Sequence, residues 1–162
     1  MKKLFVIRHA KSSWKDYSLD DFDRPLNKRG FLNAPFMGDY LKFRSIVPDI
    51  ILSSPALRAK TTAKIIANKV QYDKKIVYEK NIYEAGTSTL HNILSTLDNR
   101  YNTVFIIGHN PGLNLLVDSY VGLNENIPTC GVVELEVQVD SWKDISSENI
   151  KLLSFNYPKK LQ

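Results

Sequence analysis

Leu4-Phe5-Val6-Ile7-Arg8-His9-Ala10, close to the beginning of the chain, is the stretch that decides the fold. Its four successive apolar residues predict a buried β-strand. The strand runs directly into an arginine and a histidine. Because ligands of an open α/β sheet bind at the carboxyl ends of its parallel strands, Arg8 and His9 are expected where chemistry takes place. Taken by itself, the stretch is also compatible with a strand that ends in surface charge.

Two later stretches repeat this arrangement of a strand followed by polar residues. Residues 50–52 are predicted as a short strand before Ser53-Ser54-Pro55, a pattern typical of a helix start with serine as N-cap and proline in the first helical position. Residues 103–107 are apolar on both faces, as expected of a central parallel strand, and precede Gly108 and His109. The three strand ends favour one shared site.

Apolar residues at helical spacing predict four helices between the strands. These helices are expected after Asn27, after Pro55, at residues 87–97 with Thr87 or Ser88 as the cap, and after Gly112. Further strands are predicted at residues 76–78, 132–139 and 152–155. The alternation of strands and helices predicts a three-layer α/β/α sandwich with a mainly parallel central sheet, in a single domain over residues 1–162.

The predicted strand at residues 132–139 differs from the others because apolar and polar side chains alternate along it. Valine and leucine lie on one side, and Glu134, Glu136 and Gln138 lie on the other. A strand with one wet face is typical of a sheet edge. Residues 157–162 are expected to form a tail after the last strand.

Composition limits the location and the partners of the protein. Cys130 is the only cysteine, which excludes an internal disulfide and is typical of a reducing compartment. The first apolar run ends at Arg8, too early for a signal peptide, and no stretch approaches the roughly 20 apolar residues of a membrane span. The net charge of +5 favours anionic partners, but the sequence contains no nucleic-acid motif. We expect a cytoplasmic monomer that binds neither membrane nor nucleic acid.

Arg58 is the most informative cation, because it falls in the first turn of a predicted helix. The amino end of a helix carries partial positive charge, so an arginine there is disfavoured unless an anion is shared between them. The alternative is an arginine that leans into solvent. Two histidines and two arginines at one sheet edge indicate phosphoryl chemistry, since guanidinium groups bind phosphoryl oxygens and a neutral imidazole among cations remains a nucleophile.

No metal or other cofactor is needed for such chemistry, because the arginines and the second imidazole supply the positive charge. The three histidines, His9, His91 and His109, also lack a metal-ligand spacing. His91 falls on a predicted helix and is expected to be structural or exposed.

Three blocks resemble the signatures of the histidine phosphatase superfamily, which has the phosphoglycerate mutase-like fold. Residues 7–10 (Ile-Arg-His-Ala) are similar to its Arg-His-Gly signature, with alanine in place of glycine. Residues 53–63 resemble its second block, and residues 108–111 (Gly-His-Asn-Pro) resemble the block of the second histidine. The short chain, with residues 23–26 (Asp-Arg-Pro-Leu) and 82–86 (Ile-Tyr-Glu-Ala-Gly), is similar to the SixA-type branch, the bacterial phosphohistidine phosphatases.

The resemblance implies a role for each of four residues. His9 would be the nucleophile and would form a phosphohistidine intermediate. Arg8, Arg58 and His109 would bind the phosphoryl oxygens. All four are intact in this chain, which disfavours a non-catalytic phosphate-binding module of the same fold.

Two further residues each leave an alternative open. Glu84 is the only acid close to the place where larger relatives have a proton donor, and its alternative is an ordinary surface glutamate. Arg24 matches an arginine of the SixA-type branch and either reaches the same pocket or forms a loop salt bridge with Asp21 or Asp23.

The function implied by the resemblance is removal of phosphate from phosphohistidine on a protein. The alternative is a small-molecule phosphomonoesterase or a mutase-like enzyme of the same superfamily. A mutase is disfavoured because the short chain lacks inserted segments that could enclose a substrate. The expected partner is therefore a phosphorylated protein or a small phosphate ester.

Overall fold

Six strands form the central sheet of the computed structural model, which describes residues 1–162. They are β1 (Lys2–Arg8), β2 (Ile50–Ser53), β3 (Val77–Tyr78), β4 (Thr103–Gly108), β5 (Val132–Val137) and β6 (Ile150–Asn156). Their order across the sheet is β3-β2-β4-β1-β5-β6. Strands β1 to β4 are parallel, whereas β5 and β6 are antiparallel to their neighbours. The prediction of a mainly parallel sheet is confirmed.

Helices cover both faces of this sheet. They are α1 (Lys28–Phe43), α2 (Leu57–Lys69), α3 (Thr87–Ser95), α4 (Gly112–Val121) and the short α5 (Pro158–Leu161). Phe5 and Ile7 of β1 share a buried core with α1 and α2, whereas Leu4 and Val6 share the other core with α3 and α4. Successive side chains of a strand point to opposite faces, so a fully apolar β1 serves both cores. The predicted three-layer arrangement is confirmed.

The first helix begins as predicted. The Asn27 side chain accepts a hydrogen bond from the Gly30 backbone N–H at 2.9 Å, which satisfies one of the free donors at the start of α1. None of the helices is long and apolar enough to cross a membrane.

The prediction of an edge strand with a wet face at residues 132–139 is wrong. Strand β5 lies between β1 and β6, and the Glu134 side chain is only 1% exposed. Its carboxylate pairs with Lys3 Nζ at 3.1 Å and with Arg44 Nη2 at 2.8 Å. The alternating pattern suggested solvent because a carboxylate is rarely buried, but a buried carboxylate is tolerated when it is paired and hydrogen-bonded.

Three predictions about element ends are also wrong. Helix α2 begins at Leu57 with Ala56 as N-cap, so neither Ser53 nor Ser54 caps it. Helix α3 has Gly86 as N-cap, without a side-chain hydrogen bond from Thr87 or Ser88. The tail after the last strand forms α5. Ser54 does not cap α2 because its hydroxyl contacts His109, a residue of the site described below.

Candidate active site

His9 follows β1 directly and is 7% exposed. Its Nδ1 lies 2.7 Å from the Ala10 carbonyl oxygen. A carbonyl oxygen can only accept, so Nδ1 carries the ring proton and Nε2 carries the lone pair. Burial, and then the charges of His109, Arg58 and Arg8, lower the pKa of His9 to about 3 against the opposing hydrogen bond to Ala10. At neutral pH the ring is therefore unprotonated at Nε2 and available as a nucleophile.

His109 follows β4, and its ring centroid lies 5.1 Å from that of His9. Its Nε2 is 2.7 Å from the Ser54 hydroxyl oxygen, which also accepts from the Ala56 backbone N–H at 3.2 Å. The hydroxyl can accept from Ala56 and donate its own proton to Nε2 at the same time, and with this pairing the ring proton of His109 lies on Nδ1. That Nδ1 is buried and has no partner within the protein. It can donate to an anion beside His9.

Each of the two arginines is held from one side by a loop. Arg8 Nη1 donates to the Ile127 carbonyl oxygen at 3.0 Å, while Arg8 Nε is buried without a partner. Arg58, the second residue of α2, donates from Nη1 to the Asp21 carbonyl oxygen at 2.7 Å and from Nη2 to the Asp21 carboxylate at 3.0 Å. Burial, and then the charge of Arg58, lower the pKa of Arg8. Two neighbouring cations of like charge favour an anion between them.

A cavity of about 370 Å³ lies beside His109 and Arg58, whereas His9 and Arg8 are not part of its wall. Arg58 and His109 contribute to its wall, and Tyr83, Glu84 and Leu115 lie around them. The Tyr83 ring meets the His109 ring edge to face, with centroids 5.5 Å apart. The volume falls within the range of small-ligand sites, about 300–1,000 Å³.

A slightly larger cavity, of about 410 Å³, lies at the opposite end of the sheet, beside the start of β2. Its charged wall includes Lys74, Lys75 and Arg100, but no histidine or cysteine. No group of three or more His, Cys, Asp or Glu side chains in the chain could hold a metal ion. The cavity beside His109 is the one that combines anion donors with a neighbouring nucleophile, so we assign the candidate site to it.

The sequence profile of the histidine phosphatase superfamily (branch 1) matches residues 4–103. This range contains Arg8, His9 and Arg58. The chain belongs to the histidine phosphatase superfamily. Membership of this superfamily supports phosphatase activity.

Individual proteins are similar to nearly the whole chain. An uncharacterized chloroplastic protein of Arabidopsis thaliana is 30% identical over 152 residues, which cover 88% of this chain and 70% of that protein. A solved structure from Agrobacterium tumefaciens, assigned as the phosphohistidine phosphatase SixA, has a TM-score of 0.84 at 27% identity, covering 97% of this chain and 98% of that one. The protein histidine phosphatase SixA complexed with tungstate has a TM-score of 0.85 at 20% identity and 99% coverage of both chains, which shows the shared fold. The SixA-like, phosphoglycerate mutase-like resemblance is confirmed.

The sequence leaves the roles of Glu84 and Arg24 open. Glu84 lies at the wall of the cavity. It is exposed, and its backbone has a φ of +57°, the left-handed region that is costly for a residue with a β-carbon. Such strain tends to concentrate at functional sites. The next residue packs closely on α4, because a β-carbon on Gly112 would lie 2.4 Å from the Ala85 carbonyl oxygen. The glycine at position 112 therefore allows the segment that contains Glu84 and Ala85 to pack against the start of α4, next to the site.

Arg24 does not line the cavity. Its Nη1 pairs with the Asp21 carboxylate at 3.0 Å, and its Nη2 donates to the Ser12 hydroxyl at 2.6 Å. Its guanidinium carbon lies 3.2 Å from the centroid of the exposed Trp14 ring. The loop salt bridge between Arg24 and Asp21 is therefore present, and the donors of Arg24 are used within its own loop. His91 does not line the cavity, and its Nδ1 lies 2.7 Å from the Tyr120 hydroxyl.

Three residues of the site were not predicted, and they are Asp21, Ser54 and Tyr83. Ser54 and Tyr83 fall inside the blocks that carry the resemblance, but their contacts with His109 and Asp21 join residues far apart in the chain. Asp21 was considered only as a loop partner of Arg24. Its spacing of three residues before Arg24 indicates only the local pair, whereas its contact with Arg58 joins distant segments and leaves no signal in the sequence.

The two neutral histidines are expected to make stability depend on pH. Their pKa values are lowered to about 3 for His9 and about 4 for His109, from an ordinary value of 6.5. At pH values between these lowered pKa values and 6.5, the histidines are protonated in the unfolded chain but not in the folded one, so the unfolded chain binds more protons. The free energy of unfolding should therefore fall as the pH falls below 6.5, by up to about 1.4 kcal/mol per pH unit for each histidine.

Denaturant unfolding of the wild-type protein at several pH values between neutral and mildly acidic measures this slope. In the variant His109→Gln the slope should be roughly half of the wild-type value, because one of the two groups is removed. An equal slope in both proteins would contradict the assignment of this pH dependence to the paired histidines.

Proposed function

We propose that this protein is a phosphatase that removes phosphate from phosphohistidine on a protein, through a phosphohistidine intermediate on His9. The observation that carries the proposal is the set of free polar atoms around His9. His9 Nε2 bears a lone pair, and the two buried atoms without a partner, Arg8 Nε and His109 Nδ1, belong to the adjoining side chains. A bound phosphoryl group would accept hydrogen bonds from both donors, which satisfies buried groups that are otherwise costly.

The reaction would take place in two displacements at phosphorus. In the first, His9 Nε2 forms a P–N bond while the P–N bond of the substrate breaks, and the released imidazole keeps its electron pair and takes up a proton. In the second, water attacks the phosphohistidine on His9, the imidazole of His9 leaves, and orthophosphate is released. In both steps Arg8, Arg58 and His109 would face the charge on the phosphoryl oxygens, which is the main task of a site for phosphoryl transfer.

Two observations support a phosphohistidine on a protein as the substrate. The first is the similarity to the Agrobacterium tumefaciens protein assigned as SixA, which extends over 97% of this chain. The second is the shape of the cavity, because Glu84, Pro111 and Leu115 of its wall are exposed. An imidazole carried on the surface of another protein could therefore enter this cavity beside the ring of His109, which neighbours the ring of His9.

A small phosphate ester is the second candidate substrate, and the volume of the cavity favours it. About 370 Å³ is enough to hold a small organic phosphate. Glu84 at the cavity wall could then protonate the leaving alkoxide. The two candidates differ in their leaving group, so they are separated by measuring turnover.

The test compares kcat/KM for a histidine-phosphorylated protein, for p-nitrophenyl phosphate and for a sugar phosphate. We expect the phosphoprotein value to exceed both others by about tenfold or more, which corresponds to about 1.4 kcal/mol of transition-state stabilisation. The same values are expected after exhaustive EDTA treatment, because Arg8, Arg58 and His109 would supply the positive charge. A preference for the sugar phosphate would contradict the proposed substrate, and EDTA inactivation reversed by a divalent ion would contradict the metal-free site.

A further inference from the structure

Asp21 connects three separate segments around the cavity. Its carboxylate Oδ2 accepts hydrogen bonds from Arg58 Nη2 at 3.0 Å and from the Tyr83 hydroxyl at 2.7 Å, and its Oδ1 accepts from Arg24 Nη1 at 3.0 Å. Its carbonyl oxygen accepts from Arg58 Nη1 at 2.7 Å. The donors come from the loop after β1, from the first turn of α2 and from the segment before α3. Asp21 therefore receives four hydrogen bonds from side chains, two of them from Arg58.

Only a carboxylate can accept in this way from both of its oxygens. Three donors meet the side chain of Asp21, and two of them are cations. Burial opposes ionisation, but the hydrogen bonds from Tyr83, Arg58 and Arg24 outweigh it and lower the pKa of Asp21 to about 2. An asparagine would offer one acceptor and would turn two amide protons towards donors.

We propose that Asp21 is a positioning residue, which holds the Arg58 guanidinium in the orientation that binds the phosphoryl group. The two contacts occupy one N–H of each terminal nitrogen of Arg58, so the plane of the guanidinium is fixed. A guanidinium has five N–H groups, and three remain for a ligand. This role of Asp21 rests on the proposed function, because it requires that Arg58 binds the phosphoryl group.

The charge of Asp21 acts in the opposite direction to its positioning effect. Asp21 also lines the cavity, where a carboxylate repels a bound phosphate. If charge alone mattered, removing it would strengthen phosphate binding. If Asp21 positions Arg58, removing it weakens phosphate binding. The sign of the change therefore separates the two effects.

Binding of orthophosphate to the full-length protein, measured by titration calorimetry, tests this sign. For Asp21→Asn we expect the Kd to rise about tenfold, the loss that corresponds to one misdirected charged hydrogen bond. Asp23→Asn is the matched control, because Asp23 lies in the same exposed turn and its side chain forms no ion pair. Its Kd should stay within about twofold of the wild-type value. An unchanged or lower Kd for Asp21→Asn would overturn the proposal.

The same substitution in an Arg58→Ala background shows whether Asp21 acts through Arg58. We expect Asp21→Asn to raise the Kd there by no more than about twofold, because the group that it positions is absent. A tenfold rise that persists without Arg58 would mean that Asp21 only anchors its loop, and would overturn the proposal. Thermal unfolding of every variant verifies that each one is folded.

Tyr83→Phe keeps the inference testable if Asp21→Asn does not fold. It removes a single hydroxyl donor from Asp21 and retains the ring, which contacts Phe22 and His109. We expect a rise in Kd of about threefold that disappears in the Arg58→Ala background. A rise that is equal in both backgrounds would count against positioning. A wild-type protein that binds no orthophosphate would overturn the proposed function itself, and the role of Asp21 with it.

Discussion

Replacing His9 by alanine should lower turnover by about 10⁴-fold or more, and no acid-labile phosphoenzyme should remain after quenching. The reason is the geometry of the two imidazoles. His9 presents an unprotonated Nε2, whereas Nε2 of His109 is hydrogen-bonded to the Ser54 hydroxyl. Incubation with a labelled phosphoryl donor, rapid alkaline quenching and separation of the labelled protein measure the intermediate directly.

His91→Ala is the matched control for this experiment. His91 is half-buried on α3 and contacts Tyr120 away from the cavity, so the variant should still accumulate labelled phosphoenzyme. Labelled phosphate on His9→Ala protein, in the acid-labile form, would assign the nucleophile to another residue.

Glu84→Gln is expected to separate the two classes of substrate. An alkyl phosphate leaves as an alkoxide and needs a positioned acid, which is worth about 10²–10⁴-fold. The imidazole of a phosphohistidine can already carry its proton when it leaves, so it needs far less help. We therefore expect a loss of about 10²-fold or more on an alkyl phosphate and about threefold or less on a phosphohistidine protein.

Two further variants complete this comparison. Arg58→Ala should reduce turnover of both substrates alike, because both pass through the same crowded phosphoryl charge. Glu148 is an exposed glutamate in the segment before β6, so Glu148→Gln should leave the turnover of both substrates unchanged. A large and equal loss on both substrates for Glu84→Gln would mean that Glu84 takes part in general phosphate positioning, and would remove this argument for a phosphoramidate preference.

The features predicted from sequence are those that local physics determines. Strands β1 and β4 were identified because a fully buried parallel strand is a continuous apolar run, and the residues after such strands meet at one end of the sheet. The same reasoning predicts that His9, His109 and Arg58 lie together. The structure places the rings of His9 and His109 5.1 Å apart.

The features missed are those that depend on contacts between distant segments. Glu134 reads as a solvent-facing residue until Lys3 and Arg44 are known to approach it from β1 and from the end of α1. Ser54 reads as a helix cap until His109 is known to lie 2.7 Å from its hydroxyl. In both cases a polar residue could make either a local contact or a contact with a distant segment. The periodicity of the sequence gives information only about local contacts.

The hydrogen bond between His9 Nδ1 and the Ala10 carbonyl oxygen would also determine the regiochemistry of the proposed covalent intermediate. Because Nδ1 is occupied by its proton and by its own backbone, phosphorus can be attached only at Nε2. Of the two positional isomers of phosphohistidine, this site can form just one on its own chain. The isomer carried by a phosphoprotein substrate would not be restricted in the same way, since in the proposed reaction its imidazole would lie on the far side of phosphorus. A single backbone carbonyl would thus make the proposed reaction selective for one isomer of the intermediate, while either isomer of a phosphohistidine substrate could react.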